Sequence, residues 1–313
     1  MLFGNIAGLD TPVARLVMGT MVCSTDNMEV TNALLDAYLD AGGNCLDTAR
    51  VYGGGKTEAA LGQWFSSRKN REKVVLLAKG AHPNASGKRV NQTGIAEDIA
   101  TSLELMQTDY IDIYLLHRDD PDVPVGSIVD ALNTHKEAGR IKIFGGSNWT
   151  TQRIQEANEY AAAHGLQGFS ASSPQLSLAV PNEAMWGGCL WVTPEDRAWY
   201  QATQMPLFPW SSQASGFFTG RFSPDDRSNA DVTRVYYSAG NWERYRRATE
   251  LGVQKGFTAT QIALAYVLNQ AYPVFALFGP RTPEEMSTSL PALEVSLTVE
   301  EIQWLNLERD APL

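Results

Sequence analysis

From about residue 15 onward the chain alternates short apolar runs with longer segments of helical period. The runs fall at residues 15–20, 44–47, 74–79, 111–117, 141–145, 168–171, 206–210 and 274–278. Each is short and nearly continuous in apolar character, which is the pattern of a strand covered on both faces. Between them, residues 94–106, 127–138, 151–164, 196–203 and 258–269 repeat apolar positions at helical spacing. Thr258 with Gln261 three residues later reads as a capping box at a helix start.

Eight strands alternating with helices is the count of an α/β (β/α)8 TIM barrel, whose crossovers keep the strands parallel and whose chemistry sits at their C-terminal ends. The first dozen residues lie outside the alternation, and a short N-terminal β-hairpin closing the barrel bottom is expected there. No Pro/Ser-rich linker interrupts the pattern, so residues 1–313 are expected to form one domain. A doubly wound dinucleotide fold requires G-x-G-x-x-G after its first strand, and that pattern is absent. Residues 50–57, RVYGGGKT, end like a phosphate loop, but Arg50 stands where that loop needs glycine for its tight turn.

With 25 Lys and Arg against 35 Asp and Glu, the chain carries a net charge of −10. An acidic surface without a basic stripe repels phosphate backbones and anionic lipid, so neither nucleic acid nor membrane is expected as a partner. The opening MLFGNIAGLD has no basic segment followed by an apolar one, which makes a cytoplasmic location the expectation. Cys23, Cys45 and Cys189 show neither C-x-x-C nor Cys/His spacing and read as reduced packing residues. Four histidines without ligand spacing predict no metal site.

Polar residues end the apolar runs in an ordered way. The second run ends at Asp47, the third at Lys79 and the fourth at His117. The fifth leads to Ser147 and Asn148, the sixth to Gln175, and the seventh ends at Trp210, while Tyr52 follows Asp47 in a glycine-rich turn. A barrel delivers these ends to one mouth. Three ionisable groups there are costly to bury unless they pair with one another, which points to a functional constellation.

These residues resemble the aldo-keto reductase family. Residues 46–53, LDTARVYG, followed by Glu58 and Gly62, are similar to its D-T-A-x-x-Y-G…E…G signature. LAK at 77–79, LLHR at 115–118, GRI at 139–141 with GGSN at 145–148, and GPRTPE at 279–284 resemble further segments in the family's order. The resemblance covers nearly the whole chain. It implies reduction of an aldehyde or ketone, sugar-like or aromatic, by a nicotinamide, with Asp47, Tyr52, Lys79 and His117 as the catalytic set. Such a reaction needs an acid for the developing alkoxide. Tyr52 is the expected donor, Lys79 lowers its pKa, Asp47 holds Lys79 charged, and His117 orients the carbonyl. Trp210 is expected to stack on the nicotinamide, with Ser147, Asn148 and Gln175 bonding its carboxamide. Ser211, Gly216 and Gly279 are further contacts that the resemblance implies. Arg281 is the expected phosphate contact, its target the 2′-phosphate of NADPH.

Glu285 stands where many relatives have Gln, Ser289 where they commonly have Asn, and Trp210 where Tyr or Phe is usual. A carboxylate at Glu285 accepts ribose hydroxyls and repels a phosphate, so NADH stays open beside NADPH. Arg50 is unusual inside its motif, with substrate cleft and solvent both open to it. The loop at 180–192, VPNEAMWGGCLWV, is expected to wall the cleft, with Trp186, Trp191 and His82 as candidates for substrate contact. The same family includes ion-channel β subunits that keep the four residues, so a nicotinamide-sensing partner subunit is the alternative.

Overall fold

The computed structural model describes residues 1–311. The chain opens with a hairpin in which β1 (Phe3–Gly4) pairs antiparallel with β2 (Val13–Ala14). Seven parallel strands follow: β3 (Leu16–Gly19), β4 (Cys45–Asp47), β5 (Val75–Gly80), β6 (Ile111–Leu116), β7 (Ile141–Ser147), β8 (Ala171–Ser173) and β9 (Ala276–Phe278). Their order in the sheet is β8-β7-β6-β5-β4-β3-β9, so the first and last barrel strands lie side by side, Leu16 opposite Ala276.

The sheet is closed by the segment 206–210. Leu207 bridges in parallel to Ser172 on one side and to Val274 on the other. Phe208 N–H donates to the Ser172 carbonyl at 2.8 Å, and Leu277 N–H to the Pro209 carbonyl at 3.0 Å. The seventh apolar run thus supplies stave seven of a (β/α)8 barrel, as its place in the alternation predicts, but it is not a regular strand. Pro206 and Pro209 have no N–H to donate, so the ladder is interrupted on both sides of Leu207–Phe208.

Helices α1 (Met28–Asp40), α2 (Lys56–Arg68), α3 (Gln92–Leu105), α4 (Val125–Glu137), α5 (Thr151–Ala163) and α6 (Pro194–Thr203) make the successive crossovers. Three helices, α7 (Ala230–Tyr236), α8 (Ala239–Lys255) and α9 (Ala259–Leu268), fill the crossover before β9, and α10 (Pro283–Ser289) and α11 (Val299–Leu305) complete the ring. The capping box at Thr258 and Gln261 is present at the start of α9.

Because side chains alternate across each strand, one set points into the barrel and the other toward the helices. Val17, Cys45, Val75, Leu77, Ile113 and Leu115 belong to the inner set, which closes with Phe208 and Phe275. Ile6 and Val13 of the hairpin pack into the same inner cluster, so the hairpin plugs the barrel at the end where the strands begin. All three cysteines are free and buried, and burial pushes the Cys23 thiol up to about 12. Among the described residues no helix is long and apolar enough to cross a membrane, and no cluster of three or more His, Cys, Asp or Glu could hold a metal ion.

Candidate active site

The inward set continues past the apolar interior. Residues 45 and 47 on β4, 75, 77 and 79 on β5, and 113, 115 and 117 on and after β6 share one parity. Asp47, Lys79 and His117 are therefore the last inward positions of three neighbouring strands, all at the C-terminal rim. Register fixes their closeness: Asp47 pairs with Leu77, Lys79 with Leu115, and His117 N–H donates to the Gly80 carbonyl at 2.8 Å.

The backbone after Asp47 runs on along β5, with Thr48 N–H on the Leu77 carbonyl and Arg50 N–H on the Lys79 carbonyl, each 2.8 Å. It then turns through Gly53, Gly54 and Gly55, at φ of 56°, 62° and 97°. Three successive left-handed residues suit glycine, and they swing Tyr52 back over the mouth. The Tyr52 and His117 rings meet edge to face with centroids 5.9 Å apart, and Lys79 Nζ lies 5.8 Å from the Tyr52 ring centre. Lys79 Nζ donates to Asp47 Oδ1. Asp47 is 3% exposed, Lys79 2% and His117 9%.

Burial works against the Lys79 ammonium, but Asp47 and the Tyr52 oxygen outweigh it and hold the pKa above the ordinary lysine value. Burial pushes the Asp47 carboxyl up while Lys79 draws it back. The Tyr52 phenol lies above its ordinary value, because burial exceeds the opposing pull of Lys79. The ammonium acts in the direction expected from sequence, yet the net shift is upward, so the phenol keeps its proton at neutral pH. Burial, then Lys79, Arg118 and His82, hold the His117 imidazolium far below the usual range, which leaves a neutral ring. Its Nδ1 is buried without a partner.

His82 stacks edge to face on His117 with ring centres 4.9 Å apart. Its place depends on Ala81, a buried non-glycine residue at φ 57° whose N–H is held by Asp98 Oδ2 at 2.7 Å. Arg50 does not reach the cleft: Nη1 lies 2.8 Å from Glu58 Oε2, which also accepts from Ser102 Oγ through Oε1 at 2.6 Å. Trp186 leans over Trp210 at 5.7 Å and is 54% exposed, whereas Trp191 bridges in parallel to Gln175.

The residues expected at the cofactor fall into two groups. Ser147, Asn148, Gln175 and Trp210 form one cluster at the rim. Ser147 Oγ donates to the Ser173 carbonyl at 2.8 Å, and Asn148 Oδ1 accepts from Trp210 Nε1 at 3.2 Å and from Leu190 N–H at 3.1 Å. Asn148, at φ 60°, is thereby occupied in fixing the indole, and Gln175 Nε2 donates to Ser177 Oγ at 2.8 Å. The second group lies beyond the loop after stave seven. That loop passes Ser211 at φ 52° and Gly216 at φ 80°, and its Gln213 Nε2 donates to the buried Ser289 Oγ at 3.0 Å. The space beside Gly279 is open.

Arg281 lines an open cavity of about 630 Å³ with Arg221, Asn229 and Asp231, and none of the four catalytic candidates reaches it. The Glu285 carboxylate accepts the Arg281 N–H at 2.6 Å, while the Arg281 guanidinium has no ion pair among the described residues. Arg221 was not singled out in the sequence, although it directly follows the turn at Gly220. Nothing in the local pattern tells which way the aperiodic segment from 211 to 229 folds.

The profile of the Aldo/keto reductase family matches residues 15–306. A norsolorinic acid reductase B of Aspergillus parasiticus is 30% identical over 88% of this chain and 73% of its own. An aryl-alcohol dehydrogenase of Pestalotiopsis microspora is 28% identical over 88% of this chain and 71% of its own. The solved structure of a glycerol dehydrogenase from Gluconobacter oxydans superposes with a TM-score of 0.79 at 23% identity, covering 99% of this chain and 96% of that one, and shares its fold.

Proposed function

Since the chain belongs to the aldo/keto reductase family, oxidoreductases that act on carbonyl groups with a nicotinamide cofactor, we propose that it reduces an aromatic aldehyde or ketone to the alcohol, with Tyr52 as proton donor. The convergence of Asp47, Lys79, Tyr52 and His117 at one rim, with Lys79 held cationic by Asp47, carries this reading. The aromatic preference rests on the rings of Trp186, Trp210 and His82 around the mouth and on the relatives' names. We take residues 1–313 as a single barrel domain.

The residues present fit a nicotinamide dinucleotide. Trp210 offers a flat indole fixed by Asn148, with the polar groups of Ser147 and Gln175 beside it. Arg221 and Arg281 on one open cavity suit a phosphate, and NADPH is the cofactor proposed on that ground, with Ser211, Gly216, Gly279 and Ser289 on the path between. Glu285 is the counterweight, as its carboxylate stands at the Arg281 backbone. The bound, reduced nicotinamide supplies the hydride.

Tyr52 meets the substrate oxygen as a neutral phenol and gives it the proton as negative charge builds there. Lys79 stabilises the phenolate left behind, and Asp47 keeps Lys79 charged in a buried position. His117, neutral, donates a hydrogen bond to the same oxygen and thereby aims the carbonyl at Tyr52. Solvent then returns a proton to Tyr52. The test is Tyr52→Phe, assayed with NADPH and a panel of aryl aldehydes. Turnover falls at least about a thousandfold while cofactor binding, read from Trp fluorescence, persists. Undiminished turnover in the variant overturns the assignment.

A further inference from the structure

We infer that Arg118 binds a carboxylate carried by the substrate, so that the preferred aromatic carbonyl compound is an anionic one; this rests on the reading above. Arg118 directly follows His117 at the rim, and its Nη1 donates to the His117 carbonyl at 2.9 Å. Its stem lies against the loop that carries Trp186: a side chain added at Gly188 would stand 3.4 Å from Arg118 Cδ and 3.6 Å from Nε. The guanidinium is therefore held between the end of β6 and the aromatic wall of the cleft. The field of its charge reaches the His117 ring and the Tyr52 phenol.

Among the described residues no carboxylate pairs with Arg118. The acidic residues next along the chain are committed elsewhere: Asp119 to Arg153 at 3.2 Å, and Asp120 and Asp122 both to Lys88 at 2.7 Å. Arg118 is half-buried and lies beside the reacting groups without an acidic partner. Removing a cation from water without an anion is unfavourable, and a ligand carboxylate relieves that cost. Guanidinium has donors to spare, since only Nη1 is used and none of the others is sealed from solvent. A carbonyl at Tyr52 and His117 with an anionic group at Arg118 matches an arene bearing both a carbonyl and a carboxylate.

The experiment uses the full chain. Trp fluorescence is titrated with benzoate and with benzamide, its neutral analogue, in wild type, Arg118→Met and Arg118→Lys. Steady-state rates are compared for 4-formylbenzoate and its methyl ester. Benzoate is expected to bind wild type at least about tenfold more tightly than benzamide, Arg118→Met to abolish that preference, and Arg118→Lys to restore part of it. The kcat/KM ratio of acid to ester falls about tenfold to hundredfold in Arg118→Met, mainly through KM. Equal binding of benzoate and benzamide to wild type overturns the inference. So does a proportional loss with both aldehydes, which marks Arg118 as a support for His117 alone. If wild type reduces neither aldehyde, the aromatic-carbonyl reading fails, while the benzoate titration still decides whether Arg118 holds a carboxylate.

Discussion

Replacing Asp47 with Asn keeps the shape of the rim and removes one charge, leaving Lys79 almost fully buried without its counter-ion. Breaking a buried pair by deleting one partner costs about 3–5 kcal/mol, so Asp47→Asn should destabilise the protein by that order at neutral pH. The pH dependence is the sharper test. In wild type the folded pKa of Lys79 lies above its unfolded value of about 10.4, so its contribution is complete at neutral pH and is lost only as pH rises through the folded value. Without Asp47, burial dominates and the folded pKa drops below the unfolded one. The unfolded chain then binds more protons, and the variant gains stability as pH rises toward 10, by up to about 1.4 kcal/mol per pH unit. Urea unfolding followed by Trp fluorescence at about pH 7 and about pH 9.5 measures both slopes. Parallel slopes in the two proteins, or a loss below about 1 kcal/mol, would refute the claim that Asp47 is what keeps Lys79 charged.

Other outcomes can be stated more briefly. Because burial and neighbouring cations hold His117 neutral, kcat for reduction should show no ionisation between about pH 6 and pH 8; a break near the ordinary histidine value counts against it. With its pKa raised, Tyr52 is protonated throughout the neutral range and its phenolate is scarce, so alcohol oxidation, which needs the phenolate as base, should rise with pH where reduction does not, a contrast visible in paired initial-rate profiles. Arg50→Met strands the buried Glu58 and should cost about 3 kcal/mol at neutral pH, partly recovered in acid as Glu58 protonates, which denaturation at two pH values reads directly. Glu285→Gln removes the carboxylate beside Arg281 and should tighten NADPH more than NADH in a fluorescence titration.

The parity of β4, β5 and β6 is written in the chain as alternation, and that is why the sequence itself brings Asp47, Lys79 and His117 to one rim. The hairpin and the closed barrel were legible for a similar reason, through the count and order of apolar runs. What the pattern did not carry depends on tertiary geometry. Arg50 turns to Glu58 because three left-handed glycines reverse the chain between them, a conformation that spacing does not encode. The net direction of the Tyr52 shift depends on how deeply the ring is buried, which competes with a visible neighbour. Stave seven reads as a strand by its apolar residues and is broken by its prolines. Arg221 joins Arg281 on one cavity through an aperiodic segment whose course spacing does not encode.

The pairing of β3 with β9 joins residues 260 positions apart, Leu16 with Ala276. On a ribosome adding about 5–20 residues per second, the edge of β3 waits roughly 13–50 s for its partner to be made. Through that interval an apolar strand, Leu-Val-Met, has one unpaired side, and pairing with another nascent chain competes with closure. Yield in cells should therefore respond to translation speed and to chaperone supply more than equilibrium stability alone would suggest. A chain cut anywhere before residue 276 keeps both edges of the sheet open for good.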